Sequence, residues 1–140
     1  MKRTLIMACM AISLNGALIA EGYSVSGIIS SPKSGTIFIA LLNEKEFSGQ
    51  ENYRFGLRLK ASASGEQKTF FTFKDVPAGV YAIRCFLDTN DNGKLDMGLF
   101  GPKEPYGFYK PMQVKTRAPV FAEVSFVVAA NTDDIHVVLR

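Results

Sequence analysis

The sequence predicts an all-β fold: a single antiparallel β-sandwich of about seven strands, in one domain, carrying one long ordered loop. Three observations lead there. After residue 20, apolar residues recur with period two in short runs, and helical periodicity is nearly absent. Turn-forming stretches, "SPKSG", "SASGE" and "VPAGV", separate the runs. The chain beyond residue 20 is about 120 residues long, enough for one buried core.

The first twenty residues differ in composition from the rest. Lys2 and Arg3 precede an uncharged apolar stretch from Leu5 to Ala20 with small residues at Ala17 and Ala20, the layout of a secretory signal peptide. The expected organisation is therefore a signal peptide over 1–20 and a β-sandwich domain over 21–140, with cleavage after Ala20 or, as the alternative, Ala17. A retained anchor is the competing reading, but the apolar run is shorter than the roughly 20 residues a spanning helix needs. Removing Lys2 and Arg3 leaves 14 basic against 13 acidic side chains, and no basic run is interleaved with aromatics. That balance speaks against nucleic acid as a partner. Cys85 is then the one remaining cysteine, so stability must come from the core, with or without a metal, rather than from a disulfide.

The strand runs follow in order. "SVSGIIS" at 24–30 opens the set, and "TIFIALLN" at 36–43 is apolar on both faces, as a central strand covered on both sides would be. "YRFGLRLK" at 53–60 alternates cleanly: Tyr53, Phe55, Leu57 and Leu59 on one face, Arg54, Arg58 and Lys60 on the other. "KTFFTF" at 68–73, "GVYAIRCFLD" at 79–88, "VFAEVSFVV" at 120–128 and "DIHVVLR" at 134–140 complete it. The turn "FKDVPAGVYAI" has Pro77 to fix φ and Gly79 to permit a positive φ. A Phe before such a turn and a Tyr after it resemble transthyretin-like and carboxypeptidase-regulatory-like sandwiches, and transthyretin-like or immunoglobulin-like topology is the expectation.

From Thr89 to Met112 no convincing strand appears, a span longer than the ~12–15 residues common for structureless loops in compact domains. Leu95, Leu99, Phe100, Tyr106, Phe108 and Tyr109 supply apolar surface that calls for burial, so something should organise this segment. Its start, "FLDTNDNGKLD", places Asp88, Asn90 and Asn92 at positions 1, 3 and 5 of an EF-hand-type loop, Gly93 at 6, the Lys94 carbonyl at 7 and Asp96 at 9. Position 12 is Leu99 instead of a bidentate carboxylate, and Glu104 is the candidate to fold back and replace it. A structural calcium ion is thus the candidate cofactor. The competing reading is a metal-free turn, since Asn-Gly is a hairpin signal and Asp and Asn cap turns by bonding their own backbone.

Further along, "GPKEPYGFYKP" is stiffened by prolines, and Tyr106, Phe108 and Tyr109 are candidates for a ligand or partner surface or for a lid packed on the core. His136 falls on the face opposite Ile135, Val137 and Leu139, as a surface residue would. Cys85 alternates with Tyr81, Ile83 and Leu87, as a buried small residue would, so the usual nucleophilic arrangements lack material and no enzyme is expected.

Taken together, "FKDVPAGVYAIRCFLDTNDNGKLD", "FGPKEPYGF", "FAEVSF" and "IHVVL" resemble domain-of-unknown-function family 2141, small secreted bacterial proteins with no assigned activity. The resemblance is strong over 73–108 and weak over 22–67. It implies an exported β-sandwich, with Asp88, Asn90, Asn92, Gly93 and Asp96 in the family's acidic loop and Glu104, Tyr106, Gly107 and Phe108 in its aromatic loop. After Phe108 this chain has "YKP" in place of a polar Ser-Asn stretch, and "QVKTRAPV" replaces a small-residue, proline-rich approach to "FAEVSF". The expected function is a non-enzymatic, periplasmic or secreted binding or accessory module of the bacterial envelope. Its partner would be an envelope component or a small ligand, without stable membrane insertion after signal cleavage. Two alternatives stand beside it: a purely structural calcium-stiffened module, and a carbohydrate- or peptide-binding domain using residues 101–111.

Overall fold

Alternation in the sequence becomes two large sheets that share one core. The computed structural model describes residues 21–49, 52–61, 68–110 and 116–140; the expected signal segment and the "SASGE" turn lie outside these. The chain is mostly β, in the order β1 (Tyr23–Ser30), β2 (Gly35–Leu42), α1 (Glu44–Ser48), β3 (Phe55–Ala61), β4 (Lys68–Val76), β5 (Gly79–Asp88), β6 (Met97–Gly98), β7 (Gly101–Pro102), β8 (Tyr106–Phe108), α2 (Phe121–Val124), β9 (Ser125–Val128) and β10 (Thr132–Val138). One sheet has the order β10-β1-β4, and the larger has β3-β2-β5-β8, with β9 also on β5; β6 and β7 form a hairpin of their own. Val25, Ile29, Phe71, Phe73, Ile135 and Val137 from the first sheet meet Ile37, Ile39, Leu41, Ile83, Cys85 and Leu87 from the second. These are the inward members of each period-two run, and burying each such side chain contributes roughly 1.5–3 kcal/mol.

The turn between β4 and β5 moves the chain from one sheet to the other. Asp75 takes a left-handed φ of 55°, and the Tyr81 hydroxyl donates to the Pro77 carbonyl at 3.0 Å, pinning the turn to the strand that follows it. Helix α1 is set by its sequence too: Asn43 Oδ1 accepts from Glu46 N at 3.0 Å while Glu46 Oε2 accepts from Asn43 N at 2.9 Å, a reciprocal capping box.

Several expectations are corrected. The sheets are not wholly antiparallel, because β10 runs parallel to β1. These strands are remote in sequence, so no hairpin dictates their direction. The run 120–128 splits: Glu123 accepts from Val120 N at 3.0 Å and pairs with Arg117 at 2.8 Å, which holds 121–124 in a helical turn and leaves only 125–128 as strand. The span 89–112 contains three short strands. Tyr53 is not on the core face with Phe55: Asn52 has a left-handed φ of 63°, and Tyr53 ends 44% exposed, before β3 begins. Strand β2 is covered on its second face only in part, with Ala40 and Leu42 buried but Phe38 half-buried.

Strand β8 joins the two sheets at one edge. On one side it pairs with β5 through Cys85↔Gly107; on the other, Tyr106 N donates to Arg140 O at 3.1 Å and Arg140 N to Tyr106 O at 3.2 Å. Gly107 permits this approach, since a Cβ there would sit 2.5 Å from the Val138 carbonyl oxygen.

Candidate functional site

Two features share the outer face of the larger sheet: the acidic loop at one end, and a groove of rings and arginines at its centre. Strand β5 sends Tyr81, Ile83, Cys85 and Leu87 inward, so Arg84, Phe86 and Asp88 point outward. The segment after Asp88 then folds back over the end of this face and buries Asp88 completely.

The loop is held by its own carboxylates. Asp88 Oδ1 accepts from Asn92 N at 3.3 Å and Oδ2 from Gly93 N at 2.8 Å, with Asp91 at φ 59° and Gly93 at φ 78° forming the tight turn. Glu104, 6% exposed, folds back as the spacing suggested. Its Oε1 accepts from the Thr89 backbone N at 2.9 Å and hydroxyl at 3.2 Å, and its Oε2 from Asp96 N at 3.2 Å. Asn90 donates its side-chain amide to Asp96 at 2.6 Å and Asn92 does so at 2.8 Å, while Asn90 Oδ1 accepts from Asn92 N at 3.2 Å and Asn92 Oδ1 from Lys94 N at 3.0 Å. Those backbone N–H groups dictate which end of each side-chain amide is oxygen, and so turn the NH₂ groups onto Asp96. A cation here would have to displace them. Among the described residues no group of three or more acidic, His or Cys side chains is arranged to hold a metal ion.

The structure therefore brings Asp88, Asn90, Asn92, Asp96 and Glu104 into one network, with Lys94 entering through its N–H instead of its carbonyl. Hydrogen bonds from Asn90 and Asn92, then the nearby Lys103 and Lys94 charges, hold the Asp96 carboxyl below the usual carboxylate range. The expected burial of the loop's apolar residues fails at the β6–β7 tip, where Leu99 is 93% and Phe100 100% exposed. Carboxylate-to-amide bonds organise this loop, so its tip needs no apolar cover.

The aromatic segment divides between two faces. Tyr106 and Phe108 sit opposite Phe86 and Arg84 on the outer face, whereas Tyr109 packs edge-on against Phe126 in the core, at 5.0 Å between centroids. The three rings expected to form one ligand surface do not share a face. The rings of Phe38 and Phe86 stack at 5.0 Å, 7° from parallel, and the Arg58 guanidinium lies 5.2 Å from the Phe38 centroid. Next to them Ala40 faces Gly56 on one neighbour and Arg84 on the other, which leaves a dip in the sheet surface. Gly56 lets the Tyr53 ring lie against the strand, because a Cβ there would be 2.7 Å from Tyr53 Cε2. The result is a groove of about 370 Å³ whose charged lining is Arg54, Arg58 and Arg84, with no acidic residue in it. Sequence reasoning recorded Arg54 and Arg58 only as a polar strand face; their alternation was the available signal, and the register that adds Phe38, Phe86 and Arg84 was not.

His136 also has a neighbour the sequence did not advertise. Its Nε2 lies 2.8 Å from the Ser30 hydroxyl, on the outside of the smaller sheet and away from the groove. Among the described residues no carboxylate bonds the other ring nitrogen. Cys85 is 1% exposed, and burial pushes its thiol well above the usual range.

Fold and loop define a class: a small, mostly β domain with an Asx-rich loop closed by two buried carboxylates. Within that class the chain belongs to domain-of-unknown-function family 2141, described as an uncharacterized protein conserved in bacteria, whose model matches residues 24–136. No curated protein and no solved structure matches the chain.

Asp88→Ala leaves the Gly93 amide without its acceptor and the Asn92 amide with Asn90 Oδ1 alone, and should cost about 1–3 kcal/mol, read as a fall of roughly 5–15 °C in Tm. Asp96 gives a pH prediction. Its folded pKa is depressed, so its contribution to stability is present above the unfolded Asp value of ~3.9 and is lost as pH falls through the folded value. The side-chain amide NMR signals of Asn90 and Asn92 should therefore titrate with a midpoint below pH ~3.9.

Proposed function

We propose that the protein is a non-enzymatic, exported binding module of the bacterial envelope, built as a transthyretin-like or immunoglobulin-like sandwich, with its ligand surface in the outer-face groove. The observation that carries this is the groove itself: about 370 Å³, open, walled by Phe38, Phe86 and Tyr53, and lined by three arginines. That size falls in the range typical of small-ligand pockets, about 300–1,000 Å³. Support for export comes from the composition of residues 1–20. Support for a non-enzymatic role comes from Cys85, buried with its thiol pushed up, and from Ser30 and His136, which lie outside the groove. The acidic loop serves as a brace that holds β8 against β5 and so completes the platform.

Amide NMR titration with cellobiose, the peptide Gly-Phe-Gly, 2-naphthylmethanol and 2-naphthoate tests the surface. At least one of the four should shift the Phe38, Ala40, Gly56 and Arg84 amides. Shifts confined to residues 95–103, or none with any of them, overturn the reading.

A second reading is favoured by the convergence of Asp88, Asn90, Asn92, Asp96 and Glu104 at one turn: a structural calcium ion in place of the Asn-to-Asp96 bonds. The two separate by melting temperature. A site with Kd ~10⁻³ M would add about 1 kcal/mol at 5 mM calcium, a rise of several degrees over EDTA. The self-braced loop predicts the same Tm in both.

A further inference from the structure

The geometry points to a specific ligand class for the outer-face groove: a small organic anion that carries a carboxylate on a flat ring. This rests on the groove being the ligand surface, and it adds the charge and shape of what enters. Three arginines line one shallow site, and among the described residues none of them forms an ion pair. Glu46, the carboxylate bonded to this region, is committed to the backbone N–H groups of Asn43 and Arg54. The Arg58 guanidinium lies over a groove ring, 5.2 Å from the centroid of Phe38, whereas that of Arg54 lies 5.1 Å from the centroid of Phe55, a ring packed against the core. Such contacts hold a guanidinium in place while leaving its N–H edge free to donate. Arg84 is half-buried, with Ala40 beside it on one neighbouring strand and Phe108 on the other.

Arginines gathered without an ion-paired partner in the groove lining repel one another, and an entering anion relieves that repulsion. Carboxylate geometry suits the guanidinium fork, which can donate two parallel N–H···O bonds to its two oxygens. The floor of Ala40 and Gly56 provides the space for the rest of the ligand. No side chain larger than a methyl rises from these two positions, while Phe38 and Phe86 stand on one side and Tyr53 on another. A flat ring fits that slot against aromatic walls, and the volume of about 370 Å³ limits it to one or two fused rings. A long polyanion such as nucleic acid would need a basic track extending beyond the groove, whereas the chain beyond residue 20 carries 14 basic against 13 acidic side chains.

Calorimetric titration compares 2-naphthoate with its neutral counterpart 2-naphthylmethanol, on the wild-type chain and on Arg84→Gln and Ala40→Leu variants whose fold is checked by amide NMR. The expected result is that 2-naphthoate binds about tenfold or more tightly than the alcohol, as loss of a charge-assisted hydrogen bond predicts. Arg84→Gln should remove most of that difference, and Ala40→Leu should weaken both compounds by filling the floor. Equal binding of the two compounds, or an Arg84→Gln variant that keeps the full preference, overturns the anion assignment while the groove remains the binding surface. Should neither naphthyl compound shift the groove amides while cellobiose or Gly-Phe-Gly does, the anion assignment fails and the groove remains the binding surface; silence from all four probes overturns both.

Discussion

The β8 edge of the larger sheet depends on one buried carboxylate. Glu104 accepts from the backbone N–H of Thr89 with one oxygen and from that of Asp96 with the other, which ties the start and the middle of a long excursion to a point two residues before β8. Hydrogen bonds to a charged acceptor contribute about 1.5–3 kcal/mol each, and two of them offset the cost of taking the carboxylate out of water. With Glu104 held, Pro105 presents its carbonyl to Leu87 N at 2.8 Å, and β8 falls into register beside β5. Everything at that edge follows. Tyr106 and Phe108 join the outer face, Tyr109 turns into the core, and Arg140 closes the seam to the other sheet.

Asp88 supplies the complementary constraint at the other end of the loop. It stands in an outward position of β5, where a charged side chain would ordinarily face water. The returning chain covers it and provides two backbone N–H groups in place of solvent. Thr36 beside it on β2 is equally buried; its hydroxyl donates to Asp91 at 3.1 Å and accepts from Lys60 at 2.9 Å. The loop is thus anchored to β2 and β3 as well as to β5. This polar row ends the outer face on one side, and α1, through Phe47 packed against Phe108 and Phe121, ends it on the other. The groove occupies what is left uncovered between them.

Much of this was legible before any coordinates. All seven period-two runs contain strand, and the inward residues of β5 and β10 are those the alternation chose. Period two is a local property of the extended chain, and it survives into any sheet that buries one face. The acidic loop was legible for a similar reason. Alternating Asp and Asn side chains bond backbone groups two to five residues away, so their spacing carries its own geometry. Glu104 was singled out only as a replacement metal ligand; its partners here are the Thr89 and Asp96 backbone amides and the Thr89 hydroxyl.

What the sequence determined by itself was therefore the β character, the facing of most strand residues, and an organised loop after Asp88, because each depends on neighbours within a few residues. What only the tertiary structure decided was the register between strands remote in sequence. That register set β10 parallel to β1, drew Ser30 to His136, and placed Phe38, Phe86, Arg58 and Arg84 around one groove. A slip of one residue in any pairing would have sent each of those side chains to the opposite face, and no local pattern in the chain records which pairing is made.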